Sequence, residues 1–164
     1  MIRVVFSPTE FQLCKHIGTL RHQVTSKLGR ERKQDQSQDS EQMAINGVLT
    51  EYAVAKMLNL HFSLDCNYRK FGADLISAKG QSIDVKCASK AGGNLNAVEW
   101  SVQKPADVFV LTEIYHAHVA VVGWIPRKWF LIDDNKRDVG NGTFYSISQA
   151  QLILFDEQKY AKTL

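Results

Sequence analysis

Apolar residues at Phe11, Cys14, Ile17, Leu20 (or Gly18), Val24 and Leu28 recur every three or four positions, the spacing of one helix face. Ser7-Pro8-Thr9-Glu10 supplies the start, with Ser7 as N-cap, Pro8 at the first helical position and Glu10 closing a capping box. Gly29 supplies the stop. From Gly29 to Gln42 there is no apolar residue, which predicts a solvated linker or loop. The pattern then predicts a second helix over residues 41–60, with Ala44, Val48, Ala55 and Leu58 facing a sheet. Glu51 interrupts that stripe among Gly47, Val48, Val54 and Ala55. A carboxylate aimed into a core is costly unless it meets a cation. The small residues around it predict a close approach of the helix backbone.

Beyond residue 60 the period shortens to two. Residues 74–77 and 82–87 flank a turn at 78–81. Alternation puts Asp84 and Lys86 side by side on one exposed face, and Ile83, Val85 and Cys87 on the core face. An odd-numbered turn, such as 78–80, sets Asp74 directly opposite Asp84, with Cβ atoms about 4.5–5.5 Å apart. Two carboxylates that close repel, and a divalent cation removes the objection. Residues 90–97 predict a Gly/Asn loop, and the runs 108–114 and 118–125 predict buried strands, the second ended by Pro126. A short strand near 144–147 and a turn or helix over 148–154 complete the chain. The order predicts an α/β (α+β) fold, a mixed central β-sheet flanked by helices with an extra N-terminal helix. One domain is expected over residues 1–164: a basic helix to residue 28, a polar linker over 29–42 and a core from 43.

Composition narrows the class. With 164 residues, 45% of them hydrophobic, the chain has material for a real core, which excludes disorder, collagen and coiled coil. No apolar run approaches the roughly 20 residues of a membrane helix, and Met1 to Phe6 is too short for a signal peptide, so a cytoplasmic protein is expected. Cys14, Cys66 and Cys87 lie far apart, which argues against a zinc or disulfide framework. The net charge of +3 is unevenly spread: residues 1–33 carry seven Lys and Arg against Glu10 and Glu31, and the remainder is net −2. A basic arm on a slightly acidic body suits a polyanion, with Arg21, Lys27, Arg30, Arg32 and Lys33 as phosphate contacts. Lys90 beside Gly92-Gly93 is a further candidate to steer phosphate. His116 and His118 alternate without a third ligand at suitable spacing, and the aromatic and basic residues from Trp124 to Phe130 predict packing at the sheet end.

A helix glutamate, then an aspartate, then Asp-x-Lys on a hairpin resembles the PD-(D/E)XK nuclease superfamily over roughly residues 41–125. Gly47-Val48-Leu49-Thr50-Glu51, Gly72-Ala73-Asp74 and Ile83-Asp84-Val85-Lys86 look like Holliday-junction resolvases and related phage nucleases. Ala73 stands where the pattern has proline, and the second acid is Asp rather than Glu. The resemblance implies a restriction-endonuclease-like fold and a catalytic set of Glu51, Asp74, Asp84 and Lys86. It implies Asp74, Asp84, the carbonyl of Val85 and Glu51 as candidate ligands of Mg²⁺ or Mn²⁺, a choice that hard oxygen donors favour. Gln103 and Lys104 are expected against the scissile phosphate. The substrate class implied is nucleic acid, most readily DNA, cut by a structure-specific endonuclease, and cleavage of paired strands implies a homodimer. Two other classes fit the same sequence: a non-catalytic nucleic-acid-binding module that retains the fold, and a protein-interaction domain docking through the basic helix.

Overall fold

The computed structural model describes residues 1–29, 39–67, 72–116, 118–138, 140 and 142–155. Arg30, Arg32 and Lys33, three of the expected phosphate contacts, lie outside the described residues, as does most of the expected linker. The chain is a mixed α/β structure built on a five-stranded mixed sheet. Its elements begin with β1 (Ile2–Val5), α1 (Pro8–Lys27), α2 (Ser40–Leu58), β2 (Leu75–Ile76) and β3 (Ser82–Cys87). They continue with β4 (Leu95–Val98), β5 (Val108–Tyr115), β6 (His118–Pro126), α3 (Arg127–Phe130), β7 (Lys136–Asp138) and β8 (Thr143–Ile147). The main sheet runs β1-β6-β5-β3-β2, with β3 and β5 parallel and the other neighbours antiparallel. A bulge between Leu111 and Thr112 of β5 leaves Val122 of β6 as the extra residue.

α1 starts as the capping box requires: the Ser7 side chain accepts from the Glu10 N–H, and Glu10 accepts from the Ser7 N–H at 2.7 Å. α2 begins at Ser40, with Asp39 accepting from the N–H groups of Glu41 and Gln42, so the last residues of the expected linker are helical. Asn59 closes α2 in the left-handed region at φ 53°. Cys14 and Ile17 of α1 are buried as the period predicts, whereas Phe11 and Leu28 are exposed because they fall at the helix ends.

α2 covers one face of the main sheet, and α1 packs along α2. Ile45, Val48, Leu49, Val54 and Leu58 of α2 pack with Cys14 and Ile17 of α1 and with Ile83, Val108, Val110, Val119 and Val121 of the sheet. Among the described residues, the other face is covered by a second antiparallel sheet in the order β4-β8-β7. Leu95, Ala97, Tyr145 and Ile147 of that sheet meet Phe109, Leu111, Val122 and Ile125, with Phe130 of α3 edge-to-face with Phe109 at 5.0 Å. Thus β4 occupies part of the expected Gly/Asn loop: long-range pairing with β8 recruits Leu95–Val98 into a strand. β1 pairs antiparallel with β6, and its edge position is set by that partner rather than by a pattern of its own.

Gly47, expected to let the α2 backbone approach closely, faces open space, and a close approach is made instead by Gly18 of α1. A Cβ on Gly18 would stand 2.5 Å from the Ile45 Cα, while one on Gly47 would meet open space. Gly18→Ala is therefore expected to force the helices apart at a cost of about 1–3 kcal/mol. A thermal melt checks this, and an unchanged Tm would contradict the packing.

The helices are also pinned by charge: Lys56 Nζ meets Glu10 Oε1 at 2.7 Å, and the Tyr52 hydroxyl donates to the same oxygen at 2.9 Å. Lys56 first, then the Ser7 N–H, holds the Glu10 carboxyl at about 2, below its usual 4.5. Its stabilising contribution is therefore present above pH 4.5 and lost as the pH falls through about 2. Glu10→Gln is expected to flatten that acid limb of a stability-versus-pH curve, and an identical limb in both proteins would contradict the assignment.

Candidate active site

The β2–β3 register pairs Leu75 with Ile83 and Ile76 with Ser82, and Asp74, just before β2, has its carboxyl within hydrogen-bond reach of Asp84. Ser77 and Gln81 close the turn with a 2.8 Å backbone hydrogen bond, leaving the odd three-residue connection that this register needs. The Asp74 N–H donates to the Ile83 carbonyl at 3.1 Å, and Asp74 Oδ2 accepts from the Val85 N–H at 2.8 Å. The hairpin itself therefore fixes the Asp74 carboxyl beside β3.

Ile83 and Val85 point toward α2, whereas Asp84 and Lys86 share the face of Phe109 and Leu111. The parity is as the alternation predicts, but Asp84 is not exposed: only 1% of it is accessible. The second core, built by β4, β8 and α3 on this face, accounts for the difference. Cys87, expected in the core, is exposed at the end of β3.

Two lysines compensate Asp84. Lys86 Nζ lies 2.6 Å from Oδ1 and Lys104 Nζ 3.4 Å from Oδ2. Burial works to raise the Asp84 carboxyl, but Lys86, Lys104 and a hydrogen bond from Asp74 outweigh it and hold the group below its usual value. Asp74 goes the other way: burial first, then the charges of Glu51 and Asp84, push it up to about 8. The two facing carboxyls are thus pushed in opposite directions.

Glu51 of α2 and Asp74 line one cleft of about 190 Å³, together with Arg21, Lys104 and the chain at residues 63–67 and 72–73. Burial raises the Glu51 carboxyl, while Arg21 pulls it back through a 2.6 Å ion pair to Oε2. The sequence expectation that Glu51 meets a cation is met by Arg21, thirty residues away on α1.

The other candidate residues divide. Lys104 stands inside the acid cluster, held there because Arg127 donates to the carbonyls of Val102, Lys104 and Ala106. Gln103 is exposed at the end of a short 3₁₀ helix, and Lys27 is exposed in the last turn of α1. Lys90 lines a second, larger cleft of about 680 Å³, with Lys86, Gln42, Asn46 and Asn94. His118 stacks on Tyr115 at 4.9 Å. Phe130 is buried, as packing at the sheet end predicts, but Trp129 is exposed.

Glu113 has no counterpart among the sequence candidates. Buried on β5, it accepts from the Gly92 N–H at 2.7 Å, from Gln149 at 2.6 Å and from the Tyr115 hydroxyl at 2.6 Å. It fixes the Gly92-Gly93 loop that adjoins the larger cleft. Its only sequence signal is a lone acid inside an apolar run.

Among the described residues, no three His, Cys, Asp or Glu side chains stand ready to ligate one metal ion. The donor chemistry nonetheless fits a hard divalent cation: two neighbouring carboxyls, Asp74 and Asp84, that act on each other's titration. No helix among the described residues is long and apolar enough to cross a membrane. The chain matches no protein-family model, and no curated protein is similar to it in sequence.

Proposed function

We propose that the chain is a metal-dependent nuclease of the PD-(D/E)XK type, acting on DNA as a structure-specific, junction-resolvase-like endonuclease inside the cell. The observation that carries this reading is the facing of Asp74 and Asp84 on a hairpin, with Lys86 two residues further along the same face. A structural role gives no reason to bury two acids against each other, whereas phosphodiester hydrolysis does. The mixed sheet, with α2 over one face and the acids at the β2 edge, supports a restriction-endonuclease-like fold within one domain.

Asp74, Asp84 and the Val85 carbonyl are the proposed holders of Mg²⁺ or Mn²⁺. When bound, the ion would lower the pKa of water and neutralise charge on the phosphate. Lys86 has three N–H donors and commits one to Asp84, leaving the others to orient the attacking water and to meet the negative charge that develops. Lys86 and Lys104 hold the Asp84 carboxyl below its usual value, and Arg21 opposes the upward push of burial on Glu51. With one such centre per chain, cutting both strands calls for a homodimer.

Affinity for the backbone must come from cations away from the acids. Lys27, Arg30, Arg32 and Lys33 are the densest such group. Replacing Arg30, Arg32 and Lys33 by Ala is expected to weaken DNA binding across sequences and to lower the salt slope by about 0.9 for each phosphate no longer neutralised. Titrations at 50 and 200 mM salt check this; unchanged binding would move the interface toward Lys90, Gln103 and Lys128.

The reading itself is tested with Mg²⁺ or Mn²⁺ on duplex, single-stranded, flap and four-way-junction DNAs. Cleavage of branched DNA ahead of plain duplex is the expected result. A second reading, a nucleic-acid-binding module that has kept the fold, draws on the pairing of Asp84 with two lysines and of Glu51 with Arg21. Salt-dependent binding without cleavage on every substrate would favour it.

A further inference from the structure

Arg21 belongs by sequence to the basic arm, yet its guanidinium turns inward. Nη1 donates to Glu51 Oε2 at 2.6 Å, Nη2 to the Ser63 carbonyl at 3.1 Å and Nε to the Asp65 carbonyl at 3.4 Å, and the group lies 5.8 Å from the Phe62 ring centre. A planar fork held by a carboxylate and two backbone carbonyls is a built seat, unlike the loose geometry of a surface ion pair. The seat lines the same cleft as Asp74 and Lys104.

We propose that Arg21 occupies the place of a second divalent cation, so that the cleft takes a single metal ion at Asp74 and Asp84, with Glu51 outside its ligand set. The inference rests on the metal-dependent reading above and settles how many ions that site takes. Three cations (Arg21, Lys86 and Lys104) already stand among Glu51, Asp74 and Asp84 before any ion enters. Lys86 and Lys104 are on flexible stems and can yield Asp84 to an incoming ion. Arg21 is held at three points by Glu51 and the 63–65 backbone, and a doubly charged ion at Glu51 would be repelled by it at short range in a partly buried site. Glu51 therefore acts on the site through Arg21, as a positioning residue.

The test is a Mn²⁺ titration of the full chain at pH 8, with free Mn²⁺ read by electron paramagnetic resonance. The wild type is expected to bind one ion per chain. Arg21→Met, which keeps an unbranched stem and drops the charge, is expected to bind two, and Arg21→Met/Glu51→Gln to return to one. Glu51→Gln alone covers the case in which Arg21→Met does not fold: its Mn²⁺ affinity should stay within about threefold of wild type. Two ions in the wild type, one in a folded Arg21→Met, or a tenfold loss of affinity in Glu51→Gln would each overturn the inference while leaving the nuclease reading intact. No binding by the wild type would overturn both.

Discussion

Lys86→Ala is expected to lower the cleavage rate by about 10²–10³-fold, the usual loss on removing one preorganised donor to developing charge. The fold should survive. Asp84 keeps Lys104 at 3.4 Å, so its buried charge is not left alone when Lys86 goes. Losing the 2.6 Å bond to Lys86 costs about 2 kcal/mol, a drop of roughly 4–8 °C in a chain of this size. A cooperative melt alongside near-complete loss of cleavage at saturating DNA is the signature of a catalytic lysine. Wild-type cleavage by Lys86→Ala in Mn²⁺ would remove the residue from the mechanism.

The second large effect is on stability. A divalent ion bound by Asp74 and Asp84 relieves the opposition of two buried carboxyls, and it binds the folded chain alone. At one hundred times its Kd it adds about 2.7 kcal/mol, an increase of roughly 5–11 °C in Tm. Calorimetry in millimolar Mg²⁺ or Mn²⁺ measures it, with EDTA as the reference and Asp84→Asn as the control that should not respond. An unchanged Tm in both metals would count against Asp74 and Asp84 as ligands.

Local signals carried much of this architecture. Ser7, Pro8 and Glu10 announce α1 because a capping box is a contact within four residues. Asp74 close to Asp84 is legible because a tight hairpin converts turn length into register, and Asp84 beside Lys86 because strand parity is fixed. What the sequence hides is whatever a distant segment decides. The burial of Asp84 depends on a second sheet whose strand Leu95–Val98 has no clear alternation and forms by pairing with Thr143–Ile147. β1 is too short to show a period and is a strand because β6 lies beside it.

The candidate site shows the same division. Glu51 is identifiable as an acid in an apolar stripe, but its partner is not, since nothing in a run of arm cations singles out Arg21 as the one that turns inward. Lys104 reads equally well as a phosphate contact, and only Arg127, bound to the carbonyls of the same segment, explains why it reaches Asp84. Gly18 and Gly47 look alike in sequence; only the crossing of α1 over Ile45 tells them apart.

The central claim is that hydrolysis depends on the Asp74–Asp84 pair. The most direct measurement compares wild type and Asp84→Asn, purified identically, on one end-labelled four-way junction in Mn²⁺ and in EDTA. The account predicts cuts by the wild type in Mn²⁺ alone, with Asp84→Asn binding the junction yet leaving it intact. Equal cutting by both proteins, or cutting that persists in EDTA, would contradict it.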